Sequence, residues 1–163
     1  MNQLQSKGIV TDLELVIFRL NQKEYGVKVL ETQEIIEMQE ITRVPNVPKF
    51  IRGIINLRGQ IIPTIDLKKR FNLKESKKPI EERIIIVEAE GNKVGIVVDE
   101  VIEILDLSNK QISPSVKINR EINEKYLKKV FKFKDRSLIL LNLTPILSPD
   151  KIKEVGLNNV QKD

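Results

Sequence analysis

Two segments of this chain can be laid on one another without a gap, and that internal repeat limits the folds open to it more than any other feature. Placing Gly26 on Gly95 carries YGVKVLETQEII (25–36) onto VGIVVDEVIEIL (94–105), with Glu31 on Glu100, Glu34 on Glu103 and Ile35 on Ile104. A second register lays IINLRGQIIPTIDL (54–67) beside FKFKDRSLILLNL (131–143), so that Gly59 falls on Asp135, Asp66 on Asn142 and Leu67 on Leu143. The matched segments read as β-hairpins. In ELVIFRLN (14–21) the apolar residues Val16, Phe18 and Leu20 share one face and lead into a polar turn at Asn21–Glu24. RIIIVEA (83–89) repeats the plan before a turn at Glu90–Lys93. A repeat this long suggests duplication of a small β-module rather than a solenoid. Modules of this size close into barrels, because closure removes exposed strand edges. The expected architecture is mainly β, with two small five-stranded barrels at 14–71 and 83–147 sharing an apolar seam within a single domain, 1–163.

Helix is a minor component. Short helical turns are expected at Leu67–Phe71 and Asn123–Leu127. A C-terminal helix and tail should occupy 148–163, with Ser148 as N-cap, Pro149 in the first turn and Gly156 as the stop. The polar segment KESKKPIEE (74–82) reads as the connection between the repeats.

The composition excludes much chemistry. With no cysteine and no histidine, the chain cannot form disulfides, a thiolate nucleophile, a zinc site of the usual type, a histidine general base or a phosphohistidine. It also lacks a Gly-rich phosphate loop of the G-x-x-x-x-G-K-[ST] type. Enzymatic activity, cofactors and metals are therefore not expected. The net charge of +5 is dispersed among alternating Lys and Glu, and aromatics make up only 4%, which weighs against a nucleic-acid partner. The N-terminal segment has neither the basic start nor the apolar core of a secretory signal, and no apolar run is long enough to span a membrane. A cytoplasmic protein without membrane insertion is expected.

The most distinctive stretch is ITRVPNVPKFIRGIINLRGQIIPTIDL (41–67), in which a Pro-framed loop leads into a hairpin turning at Arg58, Gly59 and Gln60. The plain structural reading gives Gly59 the positive φ and leaves Arg58 in solvent. Against it, Asn56, Arg58 and Gln60 set three hydrogen-bonding side chains beside an apolar hairpin, and Arg is well suited to bidentate contacts at interfaces. Sequence physics leaves these two readings even. Glu31, Glu34 and Glu37 read first as a solvated face, or else Thr32, Glu34 and Ile35 border an exposed groove that could take a partner helix. Phe50 and Ile51 read as core, although Val44, Pro45, Val47, Pro48 and Phe50 make the loop more apolar than solvent alone requires. A rigid apolar loop loses little entropy on docking. Asp99 reads as a strand-end residue bonding nearby backbone.

Taken together, LNQKEYGVKVLETQEI (20–35), TRVPNVPKFIRGIINLRGQIIPTIDLKKRF (42–71), VGIVVDEVIEIL (94–105), ISPSV (112–116) and RSLILLNL (136–143) resemble the CheW family of chemotaxis coupling proteins. The resemblance covers nearly the whole chain, and its central block is the most specific part. It implies two SH3-like barrels, no catalysis, and a scaffold joining the cytoplasmic tips of chemoreceptors to the regulatory domain of the histidine kinase CheA in membrane-associated arrays. It also implies a receptor-binding set of Thr32, Glu34, Ile35, Asn56, Arg58 and Gly95. The kinase-binding set it implies is Val44, Pro45, Asn46, Phe50, Ile51, Gly59 and Ile62. The chain departs from the family pattern at Thr32, where an apolar residue is common, at Lys128-Lys129 following Tyr126-Leu127, and at Ser115-Val116 after Pro114. The adaptor half of a CheV-like protein and the regulatory domain of CheA share the module but belong to longer chains. A nucleic-acid-binding barrel would instead need a basic stripe, and a carboxylate enzyme would need an acid and a base facing one pocket.

Overall fold

Alternating and doubly apolar runs in this sequence produce strands, and the computed structural model arranges eleven of them in two sheets. It describes residues 13–75, 79, 81–108, 112–114 and 121–147. The expected C-terminal helix at 148–163 lies outside the described residues.

The strands are β1 (Glu14–Leu20), β2 (Lys23–Lys28), β3 (Thr32–Glu37), β4 (Ile51–Leu57), β5 (Gln60–Asp66), β6 (Arg83–Ala89), β7 (Asn92–Val98), β8 (Glu100–Asp106), β9 (Ile112–Pro114), β10 (Leu127–Phe133) and β11 (Arg136–Leu141). Two short helices follow strands directly, α1 (Leu67–Arg70) after β5 and α2 (Leu143–Leu147) near β11. The turn expected near Asn123 is a 3-10 turn at Glu124–Tyr126. Helix α2 was not anticipated. Its signal is the i, i+3, i+4 spacing of Leu143, Ile146 and Leu147, all buried.

The repeat holds to the residue. Gly26 lies opposite Ile17 and Gly95 opposite Ile86, while the parallel pairs Leu140–Gly26 and Thr64–Gly95 match in the second register. Each hairpin turn opens on a residue in the left-handed region, namely Asn21 (φ 55°), Arg58 (50°), Glu90 (52°) and Lys134 (55°). That backbone matches the right-handed twist of paired strands.

The sheets do not divide where the repeat does. One sheet runs β8-β1-β2-β11-β10-β9 and the other β3-β6-β7-β5-β4. The expected subdomains 14–71 and 83–147 are therefore corrected. The hairpin β1–β2 joins strands of the second repeat, and β6–β7 joins strands of the first. The cause is that β3 and β8 pair across the repeats, with Ile35 opposite Ile85 and Val16 opposite Ile104. Both hairpins offer the same apolar pattern, so exchange conserves every packing face.

Three apolar clusters follow from this arrangement. The largest lies between the sheets and takes residues from both, including Val16, Phe18, Tyr25, Ile65, Phe71, Ile85, Ile96 and Leu141. An aromatic series runs through it, with Phe18 stacked on Tyr25 (6.0 Å), Tyr25 beside Phe71 (6.2 Å) and Phe71 beside Tyr126 (5.3 Å). This is the apolar seam. On the opposite faces lie two smaller clusters. Leu15, Ile17, Phe131, Leu138 and Leu140 belong to the first sheet, and Ile55, Ile62, Ile84, Ile86 and Val97 to the second. Each small cluster is buried by its own sheet, so each sheet curls over itself. In the second sheet the chain leaving β3 reaches the far edge, where Thr42 N–H donates to the Ile54 carbonyl and Ile54 N–H to the Thr42 carbonyl, both at 2.9 Å.

Candidate protein-binding surface

The curl of the second sheet brings together side chains from its two edge strands. Glu34 projects from β3 and Arg58 from the β4–β5 turn, and the guanidinium forks the carboxylate, Nη1 to Oε1 at 3.2 Å and Nη2 to Oε2. Beside them, Asn56 Oδ1 accepts the Gly59 N–H at 2.9 Å and fixes the turn. Arg58 is 70% exposed at its side chain and Glu34 25%. Hydrogen bonding to Glu34, then its charge, raises the Arg58 pKa. An ion pair this open adds little to stability. Gly59 (φ 85°) sits in open space at the tip of the turn. The positive φ expected at Gly59 is present, and Arg58 shares it.

The second repeat carries a counterpart. Glu103, the equivalent of Glu34, pairs at 2.8 Å with Arg136, whose guanidinium also reaches Glu24 at 2.6 Å. Here the arginine lies just beyond the turn and is less exposed, at 29%.

Four of the residues in the sets implied by the resemblance are buried, among them Ile51, which the sequence already read as core. Thr32 is 7% exposed, and its hydroxyl donates to the Lys28 carbonyl at 3.0 Å, closing the 3-10 turn before β3. Gly95 is buried in the centre of the sheet, where an added Cβ would lie 2.9 Å from Ile84 Cγ2 and 3.2 Å from Thr64 Oγ1. Ile51 and Ile62 are core residues, at 5% and 2% exposure. Ile35 is half-buried against the seam.

The Pro-framed loop keeps the rest of its expected surface. Pro45 and Asn46 are exposed, Asn46 with φ 62°, while Val44 and Phe50 are half-buried against the seam. An open groove runs beside the loop between Met38, Ile41, Val44, Pro45, Val47 and Ile51. Its position is fixed from two directions. The Thr42–Ile54 bridge holds the start of the loop, and it requires Gly53 (φ 150°), since a Cβ there would fall 2.1 Å from the Thr42 carbonyl oxygen. The far end is held by Arg70, whose guanidinium lies 4.2 Å over the Phe50 ring and 5.2 Å from that of Tyr126. Arg70 also donates to the carbonyls of Pro145 (2.8 Å) and Ile146 (2.7 Å). Cation–π contacts of this kind strengthen as water is excluded.

Sequence reasoning missed a buried ion pair. Lys68, in α1, is 4% exposed and lies 2.8 Å from Asp99 and 3.2 Å from Glu75. Asp99 also accepts the Asn21 N–H at 2.7 Å, so its bond to backbone reaches a turn distant in sequence. The network ties the second sheet's helix to the first sheet's hairpin. Burial acts to lower the Lys68 pKa, but Asp99 and then Glu75 outweigh it and hold it above the usual lysine range.

Among the described residues, no cluster of three or more His, Cys, Asp or Glu could hold a metal ion, and no helix is long and apolar enough to cross a membrane. What this face does expose is arginine and apolar loop surface, of the kind that recurs at protein interfaces.

Comparison with known proteins agrees with that reading. The CheW-like domain model matches residues 14–151. The chemotaxis protein CheW of Klebsiella aerogenes is 37% identical over 156 residues, which cover 95% of this chain and 92% of that protein. CheW of Bacillus subtilis is 32% identical over 142 residues, covering 87% and 91%. The crystal structure of the scaffolding protein TtCheW from Thermoanaerobacter tengcongensis superimposes with a TM-score of 0.76 at 35% identity, covering 86% of this chain and 96% of that one. The chain belongs to the CheW-like family of chemotaxis scaffolds, whose members are not enzymes and work through protein partners.

Proposed function

We propose that this protein couples chemoreceptors to the histidine kinase CheA as a cytoplasmic, non-catalytic scaffold associated with membrane receptor arrays. The receptor-facing residues in this reading are Glu34, Ile35, Asn56 and Arg58, and the kinase-facing residues are Val44, Pro45, Asn46, Phe50 and Gly59. Thr32 and Gly95 act from below the receptor face, as do Ile51 and Ile62 below the kinase face, by fixing the backbone that presents it.

The observation that carries the reading is the fate of the most specific block, 41–67. It folds into a rigid loop and hairpin whose polar side chains, Asn56 and Arg58, stand at the surface instead of completing a core. A bidentate arginine on a fixed turn can exchange or share its carboxylate with a partner. The Pro-framed loop, clamped by Arg70 and the Thr42 bridge, supplies apolar area already ordered for docking.

Calorimetric titration with the isolated regulatory domain of CheA from the same organism tests the kinase half of the proposal. Saturable one-to-one binding is expected. Absence of binding, with both proteins folded, would refute it.

A further inference from the structure

Arg70 stands where the two sheets meet. It lies in α1, directly after β5 of the second sheet, and is half-buried. Its guanidinium is used in two ways at once. The guanidinium carbon lies 4.2 Å from the centre of the Phe50 ring, at the end of the Pro-framed loop, and 5.2 Å from that of Tyr126, in the 3-10 turn before β10. Its N–H groups meanwhile donate to two carbonyls of α2, Nη2 to Pro145 at 2.8 Å and Nε to Ile146 at 2.7 Å. The last four carbonyls of a helix have no partner inside it, so Arg70 caps the C-terminal end of α2 from the other sheet. Helix α2 is fixed in turn by the first sheet and the seam. Ile146 and Leu147 are buried in the largest cluster, and Asn142 N–H donates to the Tyr126 carbonyl at 2.8 Å.

Burial lowers the Arg70 pKa, because the cation has given up water to lie here. A guanidinium in that position is favourable only while its donors and its faces are occupied. Withdrawal of α2 would leave two N–H groups without these acceptors, and the side chain would turn to solvent and leave Phe50. Withdrawal of Phe50 would admit water to the cation and weaken its bonds to α2. We infer that Arg70 joins the Pro-framed loop and α2 into one cooperative unit, so that the loop keeps its ordered form only while α2 is seated. This coupling does not depend on which protein docks at the loop. If the loop faces the kinase, as proposed above, Arg70 places that face of the first repeat under the control of an element of the second. A partner that displaced α2 would thereby loosen the loop.

The test is amide hydrogen exchange followed by NMR. Two amides report on the end of the loop, Ile51 N–H bonded to the Pro48 carbonyl at 3.0 Å and Asp66 N–H bonded to the Phe50 carbonyl at 2.8 Å. Amides at the centre of β6 and β7 serve as the reference for global stability. Ile146→Ala unseats α2, and in otherwise wild-type protein it should speed exchange at both loop amides on the order of tenfold. Arg70→Lys keeps the charge, but a single ammonium cannot stack on the rings and donate in plane together. In that protein and in Arg70→Met the loop amides should already exchange faster, and adding Ile146→Ala should change them by less than about twofold while still opening α2. Equal speeding by Ile146→Ala with and without Arg70 would route the coupling through the apolar core and overturn the inference. Loop amides that ignore Ile146→Ala in otherwise wild-type protein would overturn it as well, and so would coupling retained in Arg70→Lys. If Ile146→Ala prevents folding, Ile146→Val gives the same cycle with smaller shifts.

Discussion

Arg58 is placed so that its removal should leave the fold intact, and in the proposed reading it acts on a partner. Its side chain is mostly in solvent, its partner Glu34 is on another strand, and its backbone is left-handed at φ 50°. Arg58→Ala should leave stability close to that of the wild type, because an exposed ion pair contributes little. Arg58→Asn should be neutral or slightly stabilising, since Asn tolerates this conformation better. Thermal melts will show this, and co-sedimentation with a receptor cytoplasmic fragment should show both variants binding less than wild type. Unfolding of either variant would return Arg58 to a purely structural role. Lys68 is the opposite case. Lys68→Met strands the nearly buried Asp99 and should cost about 3 kcal/mol at neutral pH. Because the folded-state pKa of Lys68 is raised, its contribution is complete below the unfolded lysine value and is lost as pH rises through the folded one. The gap in melting temperature between wild type and variant should therefore narrow in strongly alkaline solution.

At the level of elements, the hairpins could be read directly because their determinants are local. Alternating apolar residues and short turns at Asn21, Arg58, Glu90 and Lys134 set each one, and the two registers of the repeat predicted which residues would be equivalent. Strand pairing was less accessible. β1–β2 and β6–β7 present the same pattern, so the sequence fits pairing within a repeat as well as pairing across repeats, and only the three-dimensional closure selects the second. The candidate site was half legible for a related reason. Motif position picked out Glu34 and Arg58, but it could not separate surface from packing at Thr32, Gly95, Ile51 and Ile62. LKKRF (67–71) likewise reads as a solvated turn, with nothing local to show that Lys68 is covered. Gly53 deserves its own test as the residue that lets the loop approach β4. Gly53→Ala should cost about 2 kcal/mol or more, through both strain and the lost Thr42–Ile54 bridge. Hydrogen exchange should then show the 42–50 segment opening before the sheet; unchanged protection there would contradict the assignment.

For the whole molecule, exchange of hairpins between repeats makes the two sheets interdependent. Each sheet lacks two strands without the other half, and the largest apolar cluster draws on both. Fragments 1–78 and 79–163 should each be unfolded alone and regain strand signal by circular dichroism when mixed; a folded single fragment would contradict the exchanged topology. Such a frame suits a scaffold, because the Glu34–Arg58 turn and the Pro-framed loop are parts of one cooperative unit held at fixed separation. The most direct test of coupling is kinase activity in a reconstituted mixture of receptor fragments and CheA, with and without this protein. The account predicts that phosphorylation responds to receptor state only when the protein is present, and that Arg58→Ala weakens the response. Receptor control without the protein, or none when it is bound to both partners, would contradict it.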